Sequence, residues 1–303
     1  MKNLKLIAIA VAGVLLSGMV SADEADRYVK DLASKDRAAR TKAIIMLGNL
    51  KHLGAISQLV SIMKNDPSLD IKGQAVTALG KIGDESIVPP MIGLLNTTGE
   101  ISLIRQIIAI LAKYPREDVK NALVGFASHD SPVVRRETVL AMTAINDAVF
   151  VSAVRNELAD LSSDARIAAI DYFTALKSTA ALNEILEMAS GDRVKGVRLA
   201  AIAAAGHIGG NASKKCLPTL LKDKDVEITL QAASSLGMLG DNSGFGCAAR
   251  ALKAAEVKVR LAAIRALGNI KTQKSKKELL KLKKSGDEKA RAAAEEALEK
   301  IGR

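Results

Sequence analysis

Any chemistry in this chain would fall to three histidines, two cysteines and a surplus of basic side chains. Proton transfer by a histidine needs a second group within hydrogen-bond reach. His52, His129 and His207 stand about 80 residues apart, each with no carboxylate or thiol at a useful spacing,. Each reads as a solvated imidazole, the first two in loops and the third near a helix end. No zinc spacing, Gly-rich phosphate loop or Ser or Cys set beside a His is present,. No catalytic, cofactor-binding or metal-binding residue is therefore assigned, and the chain is expected not to be an enzyme. Cys216 and Cys247 lie 31 residues apart. Equivalent positions on stacked helices sit about 9–10 Å apart, whereas a disulfide needs Cα atoms within about 7 Å. Geometry thus argues against a bridge, and export argues for one.

The basic residues fall into two groups. One is a series spaced along the whole chain: Arg40, Lys72, Arg135, Arg166, Arg198, Arg260 and Arg291. It is read as a structural ladder, with each guanidinium bonded to an inter-helix Asp and to loop carbonyls. The rival reading is a row of anion sites. The other group is the run 271–284, which holds seven Lys and one Glu. Lys274, Lys276, Lys277, Lys281, Lys283 and Lys284 form a candidate patch for an anionic envelope component, set beside Leu279, Leu280 and Leu282,. A plain solvated helix face is the other reading of that run. Residues 271–303 carry eleven basic and six acidic side chains, which is much of the net +11.

A repeat positions all of these residues. The stretches AVTALGKIG at 75–83, AIAAAGHIG at 201–209, AASSLGMLG at 232–240 and AEEALEKIG at 294–302 are variants of one motif,. The residue after the Leu serves as a mark. It falls at Gly48, Gly80, Ala112, Thr143, Thr174, Gly206, Gly237, Gly268 and Glu299, in steps of 31 or 32. Apolar residues around each mark recur at helical spacing, and a second apolar stripe follows each mark. Gly, Asp, Asn, Ser and Pro separate the stripes. The pattern predicts an all-α solenoid of about nine two-helix units. Each unit buries its apolar face only against its neighbours. Repeat three, with Ile104 at the Arg position and Tyr114-Pro115 at the turn, should be the least regular.

This pattern of Asp, then Val-Arg, Ala and Leu-Gly resembles the short HEAT repeats also found in phycobilin lyases, over 23–303. The resemblance implies that the Arg-bearing helix is second in each unit and lines a concave side. Exposed positions there should fall near −10, −6, −3 and +1 from the mark. Gln106, Lys113, Asp171, His207, Gln231, Met238, Arg265 and Asn269 are the candidate partner-binding residues of that strip. With aromatics at 2% and no Trp, affinity should spread over a wide area rather than a few anchors.

Residues 1–22 read as a Sec leader: Lys2 and Lys5, an apolar run to Leu16, then small residues with cleavage expected after Ala22,. Met19 stands where a lipoprotein would carry its Cys. The remaining 23–303 are expected to form a single solenoid in the periplasm or outside the cell, with no membrane span. The function expected is a non-enzymatic scaffold holding a protein or peptide partner on its concave face. The alternatives are bilin-lyase-like chemistry, suggested by the resemblance, and attachment to an anionic surface through the Lys-rich end. Export argues against nucleic acid as a partner despite the basic charge.

Overall fold

The computed structural model describes residues 22–302; the expected leader lies outside them, apart from Ala22. Eighteen α-helices and no strands are found there. They form nine pairs. The first helices are α1 (Ala22–Asp31), α3 (Ile56–Asn65), α5 (Val88–Leu95), α7 (Glu117–Phe126), α9 (Val151–Glu157), α11 (Leu182–Gly191), α13 (Gly210–Cys216), α15 (Phe245–Ala251) and α17 (Gln273–Leu282). The second helices are α2 (Arg37–Asn49), α4 (Leu69–Ile82), α6 (Ile101–Leu111), α8 (Pro132–Ile145), α10 (Ser163–Ala175), α12 (Lys195–Ile208), α14 (Val226–Met238), α16 (Val257–Ile270) and α18 (Glu288–Gly302). The chain is an α-solenoid of paired helices, as its period predicts.

Local chemistry sets the helix ends. Asp36 and Asp225 accept the amide hydrogens of Ala38 and Glu227, both at 2.9 Å, so a side-chain oxygen satisfies an orphan donor of the first turn,. α4 ends at Gly83, whose φ of 77° suits a residue without Cβ,. α6 ends at Leu111, so its mark Ala112 stands just beyond the helix. Pro115 forces the residue before it out of helical geometry, and buried Tyr114 takes the turn. Repeat three is irregular for that reason.

The chain divides between Ala122 and Leu123 into two compact units. In the first, α2, α4 and α6 pack side by side, with α1, α3 and α5 behind them. In the second, α8, α10, α12, α14, α16 and α18 pack in the same order. The marks are what let second helices touch. A Cβ on Gly48 would lie 2.8 Å from the Cα of Ala78, and one on Gly206 would lie 2.7 Å from the Cβ of Ser235. The Ala at −5, in contrast, fills the core: Ala43, Ala75, Ala201, Ala232, Ala263 and Ala294 are fully buried. The glycine marks therefore permit the close approach of neighbouring second helices. Aliphatic side chains supply most of the core. Three of the seven aromatics gather in repeat five, where Phe150, Tyr172 and Phe173 are fully buried and the Tyr172 hydroxyl donates to the Asp147 carbonyl at 2.6 Å.

Candidate binding surface

The outward face of the second helices is built by the residues between the buried stripes. In the first unit it is open. A groove of about 550 Å³ crosses α2, α4 and α6, lined among others by Ile45, Leu69, Gln74, Thr77, Lys81, Leu103 and Gln106. Gly73 lies on its wall, where a Cβ would stand 3.4 Å from Gln106 Oε1, an ordinary contact distance. Ile45 and Leu69 are 43% and 42% exposed, large for apolar side chains. Gln74 Nε2 donates to Asp70 at 3.3 Å, while its buried Oε1 accepts nothing among the described residues. Lys81 Nζ donates to Asn49 Oδ1 at 2.8 Å on the same face. A second hollow of about 590 Å³ shares Thr77, Lys81 and Gln106 and adds Ala109 and Lys113.

Gln106 and Lys113 thus line one continuous surface. The six other strip candidates lie in the second unit and are not gathered into one pocket. Asp171 and His207 are exposed on α10 and α12. Asp171 keeps an exposed edge, yet the helices crowding it desolvate it and raise its pKa. Gln231 and Met238 on α14 are half-buried. Asn269 is also half-buried and donates to Ser234 Oγ at 2.8 Å. Arg265 faces a small hollow of about 180 Å³ with Glu296 and Lys300. The −6 and −3 positions are not uniformly open: Ala168 and Ser234 are buried. The strip narrows there because neighbouring second helices press together over small residues. Leu69 and Leu103 fall outside the four offsets expected from the marks, so the pattern did not single them out.

The Arg series has a definite geometry. Arg135 Nη1 donates to the carbonyls of His129 and Asp130 at 2.8 and 2.9 Å, and Nε and Nη2 grip the Asp160 carboxylate at 2.5 and 2.9 Å. Arg166 repeats this on the carbonyls of Asp160 and Leu161 and the carboxylate of Asp192. Arg198 then donates to the Asp192 carbonyl at 2.8 Å. A continuous polar chain results: Arg135, Asp160, Arg166, Asp192, Arg198. Arg40 pairs with Asp66 at 3.8 Å and Arg260 with Asp287 at 2.6 Å, while Arg291 bonds the Ser285 carbonyl at 2.7 Å. Lys72 makes no side-chain bond among the described residues, since an ammonium lacks the fork that spans carbonyl and carboxylate. The carboxylate partner is always the Asp of the following repeat. Of the Asp residues that precede these positions in sequence, Asp36 and Asp225 cap their own helices, Asp70 pairs with Arg37 at 2.9 Å, and Asp287 both caps its helix and holds Arg260. The missed signal is the Asp 12 or 14 residues before the marks: Asp66, Asp160, Asp192 and Asp287.

Arg135 also draws in a second carboxyl. Glu157 is buried, 3.6 Å from Arg135 Nε, and its Oε2 accepts no hydrogen bond. Burial and the neighbouring Asp160 push its pKa up to about 7, while the Arg135 bond draws Asp160 down to about 2. An unfolded Glu ionises near 4.5. Between those values the folded chain keeps a proton that the unfolded chain releases, so stability falls as pH rises through this window. Glu157→Gln mimics the protonated form. Its Tm is expected to match the parent at pH near 5 and to exceed it by several degrees near pH 8. An identical difference at both pH values would contradict this assignment.

The Lys candidates Lys274, Lys276, Lys277, Lys281, Lys283 and Lys284 are all exposed, on α17 and the turn after it. Cys216 and Cys247 are free, partly buried thiols. Burial raises the Cys216 pKa. His129 stacks on Phe126 and accepts the Ser131 amide hydrogen at 3.0 Å, so it serves its own loop. His52 lies in the turn before α3.

A family model described as HEAT repeats matches residues 26–101, 151–237 and 247–303. No curated protein matches the chain by sequence. Among solved structures, the crystal structure of an engineered protein is similar at a TM-score of 0.51 and 19% identity, over 91% of this chain and 88% of that one. Human deoxyhypusine hydroxylase, in complex with glycerol, is similar at a TM-score of 0.36 and 16% identity, over 85% of this chain and 99% of the hydroxylase.

Proposed function

We propose, from the premise that this chain belongs to the HEAT-repeat family, that it is an exported, non-enzymatic scaffold for a protein or peptide partner. The groove across α2, α4 and α6 carries this reading. It joins exposed Ile45 and Leu69 to the polar side chains of Thr77, Lys81 and Gln106. An extended segment that pairs an apolar side chain with polar neighbours fits that chemistry. Gln106 and Lys113 extend the contact along α6 and just past it. Export rests on the leader-like residues 1–22 and places the partner in the periplasm or outside the cell. The partner is a protein in this reading. An anionic envelope component is a second one, favoured by the exposed Lys cluster on α17.

Thr77 lines both hollows and is exposed. Thr77→Arg is expected to fill them without disturbing the core. In affinity capture from the native envelope, the parent chain should retain a partner that Thr77→Arg holds at least tenfold more weakly, with Tm unchanged. Equal capture by both chains would remove the groove from the account. A coloured adduct formed with bilin and an acceptor protein would replace it with lyase chemistry. The chain recovered from the envelope should begin at Asp23; one that still begins at Met1 would contradict the export reading.

A further inference from the structure

We propose that the outward face of α17 docks on the surface of an anionic phospholipid bilayer. Ser275 and Leu279 are buried and turn one side of α17 inward. At 100° per residue the opposite side is centred on Lys277, and Leu280, 47% exposed, lies about 60° from that centre, between Lys276 and Lys277,. Lys276, Lys277, Lys281, Lys283 and Lys284 flank it, every one exposed. Only Glu278 offsets them, through its bond to Lys281 at 2.7 Å. An apolar side chain ringed by cations is a poor fit to water and a good fit to a headgroup layer. The Leu enters the acyl boundary while the ammonium groups stay at phosphate depth.

The basic character continues on neighbouring first helices. Lys214 and Lys215 on α13, Arg250 on α15 and Lys253 just after it are all exposed. Positive charge therefore spreads over the first-helix layer of the last three repeats. The groove of the preceding section belongs to second helices of the first unit, so the two surfaces are separate. The charge alone would suit any polyanion. Leu280 is what singles out a lipid surface.

Flotation of the full chain with vesicles tests this. Vesicles of mixed phosphatidylglycerol and phosphatidylcholine are compared with phosphatidylcholine alone, which reports whatever residues 1–22 contribute. The parent chain is expected to bind the anionic vesicles more strongly and to lose that excess near about 0.3 M salt, where exposed charges are screened. Each cation at an anionic surface strengthens binding by roughly fivefold. The triple variant Lys276→Glu, Lys277→Glu, Lys284→Glu should thus lose at least tenfold. Leu280→Ser should weaken vesicle binding severalfold and leave binding to polyphosphate unchanged. Circular dichroism melts of both variants should match the parent, because the substituted side chains are exposed. Equal binding to both kinds of vesicle would overturn the proposal. So would a triple variant that binds as the parent does. Retention on polyphosphate together with vesicle binding indifferent to Leu280→Ser would assign the patch to a soluble polyanion instead. Thr77→Arg should change none of these results, which separates this surface from the groove.

Discussion

Replacing Arg166 by Met is expected to destabilise the second unit by about 3–5 kcal/mol, because it strands a buried carboxylate. The side chains of Arg166 and Asp192 are 6% and 8% exposed, so solvent screens this pair little. Arg166 Nε and Nη2 bond Asp192 at 2.8 and 2.9 Å, and Nη1 caps the Asp160 carbonyl at 2.7 Å. Desolvation works to raise the Asp192 pKa, but the Arg166 bond, the Val194 amide and the Arg166 charge leave it lowered. That pair therefore stabilises the fold above the ordinary Asp pKa, and its contribution is lost as pH falls through the lowered value. The loss should appear as a fall in Tm on the order of 10 °C at neutral pH. Arg198 makes one such bond, to the Asp192 carbonyl, so Arg198→Met should cost only about 1 kcal/mol. The double change Arg166→Met, Asp192→Leu should recover much of the loss, since two apolar groups replace both ions. Equal Tm values for Arg166→Met and the parent would show that the ladder does not hold repeats five and six together.

The second large effect is a sign reversal at Gly237. In an ordinary helix interior Gly→Ala stabilises by roughly 0.5–1 kcal/mol. A Cβ on Gly237, however, would lie 2.6 Å from the Ile270 nitrogen and 2.7 Å from the Asn269 carbonyl carbon. Both are backbone atoms of α16, so no rotamer change relieves the clash. α14 and α16 must move apart, and their shared core with Leu230, Ala233 and Ile264 opens. Gly237→Ala should therefore destabilise by about 1–3 kcal/mol, and Gly237→Val by more. Gly93 in α5 meets nothing within 4 Å. Gly93→Ala is the matched control and should stabilise by roughly 0.5 kcal/mol. A gain at both positions would mean that the marks are not contact points between repeats.

What the sequence determined by itself is local and periodic. Steps of 31 or 32 between marks, apolar stripes at helical spacing and Gly or Asp between them are enough for nine helix pairs and the irregular turn at Tyr114-Pro115, and the resemblance to HEAT repeats implies the order within each pair. Those features depend on neighbours a few residues away, where helix geometry fixes which side chains share a face. The Arg series was legible for the same reason: its carbonyl partners lie five and six residues back.

Its carboxylate partners lie about 26 residues ahead, and only the stacking of one repeat on the next brings them there. The same stacking buries Ser234 under Asn269 while leaving Ile45 and Leu69 open. It also places Glu157 beside Asp160 and Arg135 in a cluster that no motif announces. Position along a repeat can be counted from the chain. The angle and distance at which helices 30 residues apart meet are set by whole packed surfaces, and they decide which polar groups find partners and which apolar ones stay in water.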